Sequence, residues 1–94
     1  MAKPGVLLSP RLLAALKNLN DPDVGRVGAA LRVLPDFFGQ PHLHAGISIR
    51  RLQRNIFECR AALKVHLLFR ADAQTLEVFF VGGHDEVRRI IRDH

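Results

Sequence analysis

The chain contains no tyrosine and no tryptophan, so aromatic packing and stacking fall to its six phenylalanines. It has one cysteine, Cys59, which excludes a disulfide framework and a thiolate zinc cluster and fits a reducing cytosol. No apolar run approaches the roughly 20 residues that a membrane span needs. Met1 to Ser9 holds a single lysine and an apolar stretch too short for a secretory signal. Internal repeats, low-complexity tracts and linkers are missing as well. A chain of 94 residues therefore reads as one small domain, 1–94, able to bury one modest core.

What the chain does have is positive charge. Fourteen Lys and Arg stand against nine Asp and Glu, a formal net charge of +5. A small domain this basic meets nucleic acid or an acidic protein. Solubility alone also accounts for a charge of this size.

The most informative stretch is Leu63 to Arg70. Leu63, Val65, Leu67 and Phe69 alternate with Lys64, His66, Leu68 and Arg70. Strict alternation marks a strand with one face on a core. Its other face offers an amine, an imidazole and a guanidinium, the groups of a polyanion-binding surface. Ile56 to Ala61 is the strand before it, with Phe57, Cys59 and Ala61 toward the core and Ile56, Glu58 and Arg60 on the open side. Thr75 to Val81 is apolar on both sides, as an inner strand should be. Asp72-Ala73-Gln74 forms the turn between.

The remaining segments are helical or extended. Ser9-Pro10 predicts a helix start, Ser as N-cap and Pro in the first turn, with Leu12, Leu13, Leu16 and Leu19 at helical spacing to about Asn20. Asp21-Pro22 repeats the signal for a second helix with Val24, Val27, Leu31, Leu34 and Phe38 on one stripe, broken near Pro35. A short link predicts an antiparallel helical hairpin. Gly5 to Ser9 is a short first strand or an extended lead, and Ile47 to Leu52 a strand or extended edge. His84-Asp85-Glu86 opens a last helix, acids first and Arg88, Arg89 and Arg92 later, in accord with the helix dipole. The fold class is α+β: a helical hairpin on the aliphatic face of a three- or four-stranded antiparallel sheet, with a short C-terminal helix.

The opposite face, open or only partly closed by the last helix, collects Glu58, Arg60, Lys64, His66 and Arg70, and His84 follows Gly82-Gly83 where its ring can turn back over the sheet. Metal-free RNA cleavage needs a base, an acid and cations around the phosphate. Histidine serves as base or acid near neutral pH, and Lys and Arg stabilise developing charge. The alternative is a wet sheet face with Glu58 bridged to Lys64. His42, His44, His66 and His84 lack the carboxylate offsets of a metal site. Cys59 falls on the apolar phase and reads as a core residue. Arg50, Arg51 and Arg54 form a local basic run, either phosphate-holding or an ordinary edge that resists strand pairing.

These segments in this order resemble the RelE/ParE superfamily of toxins from type II toxin–antitoxin modules. The likeness rests on L-S-P-R-L-L-A-A-L-K-N-L, H-A-G-I-S-I-R-R-L, N-I-F-E-C-R-A, V-H-L-L-F-R and F-F-V-G-G-H-D-E-V-R-R, and spans nearly the whole chain. It implies a helical hairpin on an antiparallel sheet and, in one branch, cleavage of mRNA on the ribosome without a cofactor. Arg60 matches a Glu-x-Arg strand position. His66 falls where the family has Arg, and His84 where it has Arg or His after the final strand. Val65 stands where the family has an aromatic. The resemblance implies His84, His66, Arg60 and Lys64 as catalytic groups and Arg50, Arg51, Arg70, Arg88 and Arg89 as RNA contacts. It implies a cytoplasmic toxin, with a cognate antitoxin, the ribosome and mRNA as partners, and a toxin–antitoxin hetero-oligomer. Two alternatives share the fold: a non-enzymatic gyrase inhibitor, and an inactive member that only binds its antitoxin.

Overall fold

In the computed structural model, residues 3–93 are described, apart from the side chains at 41, 44 and 45 in a short 3-10 segment. The elements run β1 (Gly5–Leu8), α1 (Pro10–Leu16), α2 (Asp21–Phe37), the 3-10 segment (Pro41–Gly46), β2 (Arg50–Arg51), β3 (Ile56–Ala62), β4 (Val65–Ala71), β5 (Thr75–Gly82) and α3 (His84–Arg92). Among the described residues no helix is long and apolar enough to cross a membrane.

The α+β architecture expected from the sequence is present, and its local causes are visible. Ser9 caps α1: its Oγ accepts from the Leu12 N–H at 3.1 Å, with Pro10 at the first helical position. Helix α1 stops at Leu16 rather than near Asn20, because tighter turn bonds follow from Asn18 N–H to Ala15 O and from Leu19 N–H to Leu16 O. Asn20, not Asp21, caps α2, its Oδ1 accepting from the Asp23 N–H at 2.8 Å. Pro35 does not end that helix. It forfeits one donor near the C-terminus, and the ladder resumes with Phe38 N–H donating to Leu34 O at 2.9 Å. Gly39, at φ 84°, then turns the chain out of the helix.

The sheet has the order β1-β5-β4-β3-β2. It is larger than the three or four strands expected, because Gly5–Leu8 pairs parallel to β5. This contact between distant parts of the chain carries no local signature. β3, β4 and β5 pair antiparallel. Leu12, Val27, Leu34, Cys59, Leu67, Phe69, Leu76 and Val78 form the buried core between α1, α2 and the sheet. Phe38 and Phe57 meet edge to face at 5.0 Å, and Phe57 stacks on Phe69 at 5.6 Å.

The second sheet face takes the partly closed form of the two expected, and the closure is apolar. Ile56, Leu68, Phe79 and Val87 make a separate buried cluster, with Leu52, Phe80, Ile90 and Ile91 against it. Helix α3 therefore covers the middle of the face that carries the basic side chains. Leu68 is fully buried there despite its place in the polar phase of β4. Burial of each such Leu or Phe side chain contributes about 1.5–3 kcal/mol toward holding the helix on the sheet. A bulge serves this packing. Leu68 faces Phe80 and Phe69 faces Val78, so Phe79 is an extra residue on β5. Val81 thereby returns to the main core while Phe79 and Phe80 both serve the α3 side. Leu63 is expelled from the core face into the β3–β4 turn and is 79% exposed.

Candidate active site

Where α3 begins, the covered face opens again. Two cross-strand rows define the opening. Arg50 on β2 lies opposite Glu58 on β3, and Arg60 on β3 lies opposite His66 on β4, which in turn faces Gly82 on β5. Two residues on, His84 is the first residue of α3 after the Gly83 cap. The Gly83 N–H donates to Glu86 Oε1 at 3.0 Å, which fixes how the helix leaves the strand. Gly82 allows close approach of the Phe80 ring, which a Cβ there, 2.7 Å away, would push aside.

Ser48, Arg50, Glu58, Arg60, His66 and His84 line a hollow of about 210 Å³. The His66 and His84 rings are 5.9 Å apart, centroid to centroid, and tilted by 57°. Arg60 and His84 are exposed, whereas His66 is only 8% exposed and Glu58 only 4%. Glu58 Oε1 accepts from Arg50 Nε at 2.7 Å. Its other oxygen, Oε2, is 3.2 Å from His66 Nδ1, an ion-pair separation without hydrogen-bond alignment, so Oε2 is buried with no hydrogen-bond partner. Burial lowers the His66 proton affinity below its ordinary value; Glu58 opposes this, while Arg60, His84 and Arg50 add to it. The ring is thus neutral near pH 7. Ser48, at φ 52°, holds a left-handed backbone that costs a non-glycine residue on the order of 1 kcal/mol.

The structure sorts the sequence-nominated residues. It brings His84, His66, Arg60 and Arg50 to one hollow. Lys64, exposed in the β3–β4 turn, joins His66 and His84 around an adjoining depression. Arg70 is elsewhere: its Nη1 pairs with Glu77 at 3.2 Å and its guanidinium lies 4.1 Å from the centre of the Phe79 ring. Arg51 sits opposite Phe57, one residue out of phase with Arg50, and donates to Gln53 O. Arg88 and Arg92 border a groove with Leu52, Val87, Ile91, Arg50 and His84, and Arg89 is exposed on the same helix. Glu58 pairs with Arg50 and His66 rather than with Lys64, because the register sets Lys64 beyond the strand end. Sequence reasoning placed Glu58 on this face but missed its burial. The signal was present in Ile56 and Leu68, apolar residues on a nominally open face that need a cover.

Among the described residues no three His, Cys, Asp or Glu side chains gather as a metal-ligand set. The His44 side chain, part of the His-x-His reading, lies outside the described residues. Cys59 is buried in the core, and burial, aided by Glu58, pushes its thiol up to about 12. Its burial matches its strand phase.

No protein-family model matches the chain, and no curated protein matches it. Solved structures do. The YafQ toxin of the E. coli DinJ-YafQ toxin-antitoxin complex superposes with a TM-score of 0.72 at 13% identity, over 92% of this chain and 98% of that one. RelE from the RelE-RelB complex of Pyrococcus horikoshii OT3 gives 0.71 at 10% identity, over 87% and 96%. YoeB from Staphylococcus aureus, described as a dimer, gives 0.64 at 20% identity, over 88% and 99%. The likeness is one of fold, and the fold of this chain is that of RelE, YafQ and YoeB.

Proposed function

We propose that this chain is the toxin of a type II toxin–antitoxin pair and that it cleaves mRNA bound in the ribosome. The observation that carries this reading is the hollow in which two imidazoles, 5.9 Å apart, share one opening with two guanidinium groups. The fold, shared with toxins solved beside their antitoxins, supports the toxin role.

The chemistry follows from the groups present. A ribose 2′-hydroxyl attacks the adjacent phosphorus as a base takes its proton. The phosphorane oxygens gain charge, and the 5′-oxygen leaves with a proton from an acid. His66, neutral near pH 7 through burial, suits the proton acceptor rather than a cation. His84, exposed at the mouth, exchanges the second proton. Arg60 and Arg50 stabilise the charge on the phosphorane, with Lys64 at the rim. Arg88, Arg89 and Arg51 hold ribosomal RNA by charge. An acidic amphipathic antitoxin segment laid over this basic side would close the site.

Inducing the chain alone in a bacterial host tests the proposal. Growth arrest with new mRNA 5′ ends inside translated regions is the expected result. Normal growth with unchanged transcripts would refute it, and arrest with intact transcripts and inhibited DNA supercoiling would point to gyrase instead.

A further inference from the structure

The hollow contains one carboxylate, and the proposed chemistry does not use it. Glu58 is 4% exposed, yet it is a carboxylate at the floor of a cationic opening. A buried carboxylate is costly unless its oxygens are engaged. One oxygen holds Arg50 Nε at 2.7 Å, and the other stands 3.2 Å from His66 Nδ1. Arg50 is the edge-strand residue directly across from Glu58, and His66 lies diagonally across from it on the other side.

Building on the nuclease reading, we propose that Glu58 is a positioning residue that sets both groups facing the phosphate. Through Oε1 it anchors Arg50 by Nε, so the two terminal guanidinium nitrogens remain for a ligand. The charge on Oε2, 3.2 Å from Nδ1 though outside hydrogen-bond alignment, favours the His66 tautomer with the proton on Nδ1, leaving Nε2 unprotonated as the acceptor. Free neutral imidazole favours the opposite tautomer, so the carboxylate has a measurable task. The groups whose charge acts on the His66 ring are Glu58 and Arg60 on β3, Arg50 on β2 and His84 on α3, and Lys64, Asp85 and Glu86 share the adjoining depression with it. Glu58 is the carboxylate that faces Nδ1.

The test is ¹⁵N NMR of the histidine side chains in the full chain, wild type against Glu58→Gln, with the amide spectrum as the check on folding. Wild-type His66 should be the Nδ1–H tautomer at pH 7.5. In Glu58→Gln it should shift toward Nε2–H and titrate at lower pH, since the carboxylate charge beside Nδ1 is gone. Cleavage of ribosome-bound mRNA by Glu58→Gln should slow tenfold or more through kcat, with KM changed little. A wild-type His66 carrying its proton on Nε2 overturns the proposal even if the variant fails to fold. An unchanged tautomer in the variant, or a shifted tautomer with an unchanged cleavage rate, overturns it as well. Wild-type protein that cleaves nothing overturns the nuclease reading instead, and the NMR arm still decides whether Glu58 orients the ring.

Discussion

His66 and His84 come from different elements, one from the sheet and one from the first turn of a helix, yet their rings stand 5.9 Å apart. Two things hold them there. The β4–β5 register places His66 opposite Gly82, and α3 is clamped to the sheet by Leu68, Phe79 and Val87. The site therefore depends on packing some distance from it.

That dependence makes Leu68→Ala informative. The residue is fully buried under α3, and its truncation should cost about 2–5 kcal/mol in urea unfolding. Hydrogen exchange in α3 should rise with it, and His84 should lose its place. Leu63→Ala, at a side chain 79% exposed, should change stability by less than about 0.5 kcal/mol. Equal effects from the two would contradict the packing described.

His66 gives the fold a pH dependence of definite sign. Its folded-state pKa lies below the ordinary 6.5. As pH falls through about 6.5, the unfolded chain takes the proton first, so stability is lost on acidification and unaffected by this group above neutrality. Thermal midpoints between pH 8 and pH 5 should fall more steeply for the wild type than for His66→Gln. A parallel fall would remove His66 from the explanation.

Cys59, buried and with its thiol pushed up to about 12, should resist alkylation in the native protein and react at once in denaturant. Rapid native labelling at pH 8 would mean that the core under β3 opens readily.

Much of this was legible in the sequence. Ser9-Pro10, the alternation from Val65 to Arg70 and the Gly82-Gly83-His84 stop gave the helices, the central strand and the candidate residues. What was not legible depends on contacts between distant segments. The parallel pairing of β1 has no local pattern. The extra residue at Phe79 changes the strand phase only because α3 is there to receive two phenylalanines. Arg70 shares the phase of His66 yet serves Glu77 and Phe79 at the other end of the strand, because alternation fixes a face and not a position along it. Glu58 looked solvated, since strand phase alone does not tell which residues of the face the last helix leaves open.

The most direct test is cleavage of a defined mRNA on programmed ribosomes by purified wild type, His84→Ala, Arg60→Ala and Arg70→Ala. Wild type should cut within the ribosome-bound codon, His84→Ala and Arg60→Ala should each be slower by about 100-fold or more, and Arg70→Ala should stay within a few-fold of wild type. Intact mRNA with the wild type, or full activity in His84→Ala, would contradict the assignment of this hollow as a nuclease site.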